Sequence, residues 1–239
     1  MSKYLFTIFR YNPEKDQQPY FRDYRLNPSE TWSVLDCLNE IKWRQDETLT
    51  FRRSCRSGIC GSCAMNINGE NALACETRIY DIKKSKITIK PLPCFTVVRD
   101  LVVDLEPFFD AIKKIKPYII SIGGNAHSHS GLQSPEERAL LDGLYECILC
   151  GACTSACPSF HDNEYIGPAA LLKVFRFSAD SRDKGDHERF PIINKVDGVW
   201  RCHTIFNCVE SCPKELNPVS AIQQLKRKLM KGMIWEKKE

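Results

Sequence analysis

Alternating and helical apolar patterns divide the chain into two differently built parts. Residues 4–11 are rich in aromatic and β-branched side chains and run into the turn pair Asn12-Pro13, which predicts a strand. Residues 20–26 and 87–90 carry the same signature. Between the short apolar runs 64–67 and 71–75 lies Asn68-Gly69, a strong type I′ hairpin signal. A helix is expected over 31–43, where Val34, Leu35, Leu38 and Ile41 recur at helical spacing and Thr31 stands as the expected N-cap. Strands, one helix and a hairpin predict a small α+β sheet domain over residues 1–100.

The remainder, residues 101–239, reads as mostly helical. Ser134-Pro135-Glu136-Glu137 has the capping-box pattern with proline at the first helical position. An apolar stripe of Leu140, Leu141, Leu144, Tyr145 and Ile148 follows it. Asn217-Pro218 opens a last helix in which Val219, Ile222, Leu225 and Leu229 face one way. Lys226, Arg227, Lys228 and Lys231 are expected toward its end, where they suit the helix dipole or a solvated face. Residues 121–133, small and polar, read as a connector.

Composition narrows the class. Of 239 residues, 43% are hydrophobic and 27% charged, the balance of a globular protein rather than a disordered one. The longest apolar runs fall far short of the roughly 18 residues of a membrane span. The first ten residues show no signal-peptide core and read as strand. A net charge of +4 is too mild to argue for nucleic acid.

The 13 cysteines change the picture most. An odd number cannot pair completely within the chain. Without an export signal, the thiols are expected in a reducing compartment, as buried small hydrophobes or metal ligands. None falls between 95 and 146, the gap that separates the two parts.

Cys55-x4-Cys60-x2-Cys63-x11-Cys75 has the spacing of a plant-type [2Fe–2S] site, three thiolates in one loop and a fourth further on. Gly58 and Gly61 permit the tight turns such a loop needs, and the Asn68-Gly69 hairpin returns Cys75 toward it. Zinc is the rival, but a four-thiolate zinc site usually draws on two short Cys pairs, and the second is missing.

Cys147-x2-Cys150-x2-Cys153-x3-Cys157-Pro158 matches the bacterial ferredoxin run, whose fourth cysteine serves the other cluster of a pair. The second run this requires is Cys202, Ile205, Cys208 and Cys212, with isoleucine at one ligand position. Counting then gives Cys147, Cys150, Cys153 and Cys212 to a complete [4Fe–4S] site. Cys157, Cys202 and Cys208 remain, three thiolates, and the expected cluster is [3Fe–4S]. The rival is a cubane whose fourth iron holds water or reaches His203 or Asn207. Cys37 and Cys94 lie outside every run and read as small hydrophobes. His127 and His129 look like a metal pair, but their Gly- and Ser-rich surroundings favour a solvated loop. No Gly-x-Gly-x-x-Gly fingerprint occurs, so FAD or nicotinamide bound by a Rossmann fold is not expected. Three clusters without a substrate site make an electron wire, which needs a donor and an acceptor.

The chain resembles the iron–sulfur subunit family of succinate dehydrogenase and fumarate reductase, respiratory complex II. The resemblance spans nearly the whole chain and is carried by residues 54–63, 147–158 and 201–214, with 91–93, 99–104 and 166–170 in support. It implies a β-grasp [2Fe–2S] domain followed by a [4Fe–4S]/[3Fe–4S] ferredoxin domain. It also implies a separate FAD-containing flavoprotein subunit that oxidises succinate, membrane-anchor subunits, and a quinone as electron acceptor. Pro158, His203 and Ile205 match positions that line the family's quinone pocket; for His203 the alternative is a hydrogen bond to cluster sulfur. The resemblance departs at Ser159-Phe160-His161-Asp162-Asn163, where members with a well-defined ubiquinone site carry tryptophans. The implied location is the cytoplasmic face of a cell membrane, or the matrix face of the mitochondrial inner membrane. Net fumarate reduction from quinol, a free-standing ferredoxin-like carrier and a zinc module are the alternative readings.

Overall fold

The computed structural model describes residues 4–121, 132–160 and 165–236. Two compact units emerge, and neither is one continuous stretch. The first comprises Met1–Leu105, Ile148–Ala156 and Ser211–Pro213; the second comprises Glu106–Cys147, Cys157–Glu210 and Lys214–Glu239.

In the first unit, β1 (Tyr4–Arg10) pairs antiparallel with β2 (Tyr20–Leu26) along its whole length. Helix α1 (Val34–Arg44) follows, then the hairpin β3 (Ala64–Ile67) and β4 (Glu70–Leu73), and β5 (Lys86–Lys90). β5 inserts parallel to β1 and antiparallel to β3, giving the order β2-β1-β5-β3-β4. Alternation puts Phe6, Ile8, Ile87, Ile89, Met65 and Ile67 into one core with Val34, Leu35, Leu38 and Ile41 of α1. This is the α+β sheet that the strand pattern predicted, in the β-grasp arrangement that the resemblance implied. Asn68 (φ 54) and Gly69 (φ 99) are both left-handed, as a type I′ turn requires.

The helix cap lies two residues later than the sequence suggested. Ser33 has extended backbone and closes a capping box with Asp36, its hydroxyl accepting from Asp36 N at 3.2 Å while its own N–H donates to Asp36 Oδ2 at 2.9 Å. The Thr31 hydroxyl instead bonds that of Ser29. β1 ends at Arg10 rather than Tyr11, because the Tyr11 N–H turns to Asp100 Oδ1.

Arg10 is buried at the end of β1 and fully engaged: it donates to Asp100 Oδ1 at 3.0 Å, to Thr48 Oγ1 at 2.8 Å, to Tyr24 and to Asp46. A small ribbon, β6 (Val97–Arg99) with β7 (Val102–Val103), completes this unit's strands.

The second unit begins with α2 (Glu106–Lys114), which buries Phe108 and Ile112. α3 (Pro135–Ala139) has the expected Ser134 cap, a capping box with Glu137. It then stops short. Gly143 is left-handed (φ 75) and Leu149 as well (φ 54), so no helix continues along the stripe. Leu141 and Leu144 are buried, whereas Leu140 is 64% exposed and Tyr145 lies under the Arg138 guanidinium. The short α4 (Ala152–Ser155) belongs to the first unit.

Beyond it, α5 (Pro168–Ser178), α6 (Asp186–Ile193), α7 (Asn207–Glu210) and α8 (Pro218–Glu236) form the second core, with α5 packed on both α6 and α8. The stripe Val219, Ile222, Leu225 and Leu229 of α8 is buried as expected. Its basic residues are not at its end: none lies in the last turn. Lys226 donates to the Cys202 carbonyl at 2.8 Å and Lys228 to the Ser178 carbonyl at 2.6 Å, so these two act as tethers rather than as dipole partners. Among the described residues no helix is long and apolar enough to cross a membrane. His127, His129 and most of the 121–133 connector lie outside the described residues.

Candidate functional site

No two of the cysteines form a disulfide. Cys55, Cys60 and Cys63 sit on a loop whose backbone turns left-handed at Arg56 (φ 59), Gly58 (φ 66) and Gly61 (φ 70). The turns aim three N–H groups at one sulfur: those of Ser57, Ile59 and Cys60 approach Cys55 Sγ at 3.4, 3.3 and 3.3 Å. These bonds, Ser57's foremost, bring the exposed Cys55 thiol down to about 6. Cys63 and Cys75 flank the β3–β4 hairpin, whose register sets Ala64 opposite Leu73, and the Ala74 N–H donates to the Cys63 carbonyl at 3.1 Å. Burial pushes Cys63 up to about 12, against the lowering pull of the Cys75 backbone.

At Gly61 an added Cβ would lie 2.8 Å from Cys150 Cβ, so the loop closes where only glycine fits. A ring of backbone donors around one sulfur, with two further thiols at the ends of the hairpin beyond it, fits a [2Fe–2S] cluster, whose charge is spread over its sulfurs.

The second run of thiols is arranged by short helical turns. Leu149 and Gly151 are left-handed, and Gly151 starts the turn that carries Cys153. Asn71 Nδ2 donates to the Ala152 carbonyl at 3.1 Å, and Ser155 Oγ to that of Pro93 at 2.6 Å, fixing this turn against the sheet unit. In the second unit, the Cys147 carbonyl accepts from Lys173 Nζ at 3.2 Å. Beside Cys212, the Ser211 hydroxyl is buried with no protein partner, a donor that a cluster sulfide would satisfy.

Cys157, Cys202 and Cys208 converge within the second unit, around a pocket also lined by Ile205, Tyr165 and Pro168 and backed by Val219 and Ile222. Burial, then the charges of Cys157 and Cys202, push Cys208 up to about 12; burial also raises Cys157. Three thiols crowded this way cannot all ionise unless a strongly positive centre lies between them, which an iron core supplies. Ile205 completes the ring of positions without offering a ligand atom. Thr204 (φ 61) and Phe206 (φ 73), on either side of it, are both left-handed, a local strain that Gln223 helps hold by donating to Thr204 Oγ1 at 3.0 Å.

Pro158, His203 and Ile205 meet in an open groove with Ser159, Val196, Trp200 and Arg201. Ile205 is 51% exposed there and Val196 77%. His161 and Asp162 lie outside the described residues. Sequence reasoning passed over Trp200 and Tyr165, lone aromatics at no diagnostic spacing. Cys37 is fully buried in the first core, and burial raises it to about 12; Cys94 Sγ contacts the Ser155 carbonyl at 3.4 Å.

A β-grasp sheet with a thiolate-wrapping loop, followed along the chain by two further cysteine runs, defines an iron–sulfur electron-transfer protein. A model described as a 2Fe-2S iron-sulfur cluster binding domain matches residues 5–110, and one described as a 4Fe-4S dicluster domain matches 140–213. The succinate dehydrogenase iron-sulfur subunit of Coxiella burnetii is 45% identical over 229 residues, covering 94% of this chain and 96% of that one. The mitochondrial succinate dehydrogenase [ubiquinone] iron-sulfur subunit of Candida glabrata is 47% identical over 228 residues, covering 94% and 90%. The fold matches a chain of the solved Mycobacterium smegmatis Sdh1 complex in the apo form with a TM-score of 0.80 at 22% identity, over 95% of each chain. The chain belongs to the succinate dehydrogenase iron–sulfur subunits, the electron-transfer components of that enzyme.

Proposed function

We propose that this chain passes electrons from an FAD-containing flavoprotein subunit, where succinate is oxidised, through three clusters to a quinone at membrane-anchor subunits. Residues 1–100 would carry the [2Fe–2S] cluster on Cys55, Cys60, Cys63 and Cys75. Residues 101–239 would carry [4Fe–4S] on Cys147, Cys150, Cys153 and Cys212, and [3Fe–4S] on Cys157, Cys202 and Cys208. The clusters supply one-electron steps; the protein supplies thiolates, donors to sulfur and a dry surround. The observation that carries this reading is the convergence of three thiols, Cys208 buried and Cys157 and Cys202 half-buried, on a pocket that Ile205 also lines. Pro158, His203 and Ile205 would border the quinone, since their groove opens beside the same pocket. The complex would sit on the cytoplasmic face of a cell membrane, or on the matrix face in a mitochondrion.

Purification from native membranes tests the assignment. The expected result is a complex with a flavoprotein and membrane chains whose oxidised form shows a three-iron EPR signal and whose clusters accept electrons from succinate. A brown carrier that purifies alone and ignores succinate would overturn it. Turnover with succinate and quinone against quinol and fumarate sets the physiological direction.

A further inference from the structure

Asn71 is a buried amide in the first unit that joins two thiol-bearing segments without being a ligand itself. It lies on β4, across from Asn66 in the hairpin whose ends carry Cys63 and Cys75. Its Oδ1 accepts from Asn66 Nδ2 at 2.9 Å. Its Nδ2 donates to the Ala152 carbonyl at 3.1 Å and to Ser155 Oγ at 3.3 Å, both in α4, which follows Cys150 and carries Cys153. Ser155 Oγ continues the chain of bonds by donating to the Pro93 carbonyl at 2.6 Å. Ala152 and Ser155 are buried as well, so the network is shut off from solvent.

The apposition that this amide secures is close. Gly61, between Cys60 and Cys63, packs so tightly on Cys150 that an added Cβ would lie 2.9 Å from the Cys150 Cα and 3.2 Å from the Ile148 carbonyl oxygen. Leu149 and Gly151, both left-handed, fold the backbone on either side of Cys150. The two segments are far apart in the chain, so non-covalent bonds must hold them together. A buried amide bonded on both sides resists separation, because each group set free would stay away from water. Electron transfer weakens steeply as the gap between donor and acceptor widens, and the protein's share is to hold the two in place. We propose that Asn71 is a positioning residue for electron transfer: its amide clamps the hairpin of Cys63 and Cys75 to the turn of Cys150 and Cys153 and so fixes the spacing of the groups they hold. The inference rests on the reading of Cys55, Cys60, Cys63 and Cys75 as [2Fe–2S] ligands and of Cys147, Cys150, Cys153 and Cys212 as [4Fe–4S] ligands. In the step it governs, one electron supplied by succinate oxidation leaves the first group and enters the second. No covalent bond forms or breaks, and no proton moves.

The test compares the intact complex, wild type against Asn71→Leu, which puts an apolar side chain of similar length in place of both donors. Iron content and the EPR intensity of each cluster should match wild type. In dithionite-reduced protein, the acceleration of [2Fe–2S] spin relaxation by the neighbouring reduced cluster should fall in the variant. Passage of a photo-injected electron between the two should slow several-fold. Ser155→Ala, which keeps the bond to Ala152, should move both readouts the same way by less. A variant that melts earlier yet keeps wild-type relaxation and transfer would leave Asn71 a purely structural role and overturn the inference. Should Asn71→Leu fail to assemble, unchanged readouts in Ser155→Ala overturn it instead. Wild-type protein lacking the [2Fe–2S] or the [4Fe–4S] signal would strike the underlying reading, a separately visible failure.

Discussion

Single side chains decide two properties here. Ile205 stands where its run would place a thiolate, and the structure sets it on the rim of the three-thiol pocket. Ile205→Cys is expected to let a fourth iron bind. Metal analysis should find one more iron per chain, and the three-iron EPR signal of the oxidised protein should vanish. The second property is acid stability. Burial alone would raise the Asp46 carboxyl, but hydrogen bonds from Thr48, Tyr24 and Arg10 outweigh it and hold it well below the usual carboxylate range. A depressed folded pKa means stability that is present above the unfolded value of about 3.9 and is lost as pH falls through the folded one. Asp46→Asn should therefore cost roughly 3–5 kcal/mol at neutral pH, the scale for breaking a buried pair. In urea melts the gap to wild type should narrow below about pH 4; a gap that ignores pH would mean that packing, not charge, is at stake.

Elements were legible where the chemistry is local. Asn68-Gly69 names its turn because both positions must be left-handed, and the strands follow because alternation matches one buried face. Misreadings arose where two local signals competed. Thr31 and Ser33 are both capping residues, and only the carboxylate of Asp36 three residues beyond Ser33 selects between them. The stripe after Ala139 keeps a helical period, but Gly143 takes the left-handed region and the chain turns instead. The cysteine loop offers a graded test of its backbone. Gly58 and Gly61 share the same positive φ, yet a Cβ at Gly58 would meet only the movable carboxylate of Glu76, while at Gly61 it would meet the Cys150 backbone and Cβ. Gly58→Ala should keep the [2Fe–2S] absorbance at a cost of about 1–2 kcal/mol. Gly61→Ala should lose that absorbance, and equal retention in both would show that the loop has room the geometry denies.

For the molecule as a whole, the cysteine runs announced the clusters because ligand spacing is written directly in the chain. The aromatic side chains around the three-thiol pocket and the groove beside it were not, since Tyr165 in the one and Trp200 in the other arrive by tertiary packing alone. The same packing makes metal and fold interdependent. Crowded thiols such as Cys157 and Cys208, both raised by burial, stay neutral without iron and leave the pocket unsupported. Iron-depleted protein should melt below the iron-loaded form in calorimetry, and reconstitution should restore the difference; identical melting curves would separate cluster from fold.

Membership of residues 148–156 and 211–213 in the first unit sets a schedule for synthesis. Ile148 and Cys150 pack on the core built from the first hundred residues, so that core leaves the ribosome missing part of its wall. At about 5–20 residues per second, the last piece follows Leu105 by roughly 5–20 s. During that interval the nascent chain holds exposed thiols, and machinery that delivers iron and sulfide, or shields them, has its opening then.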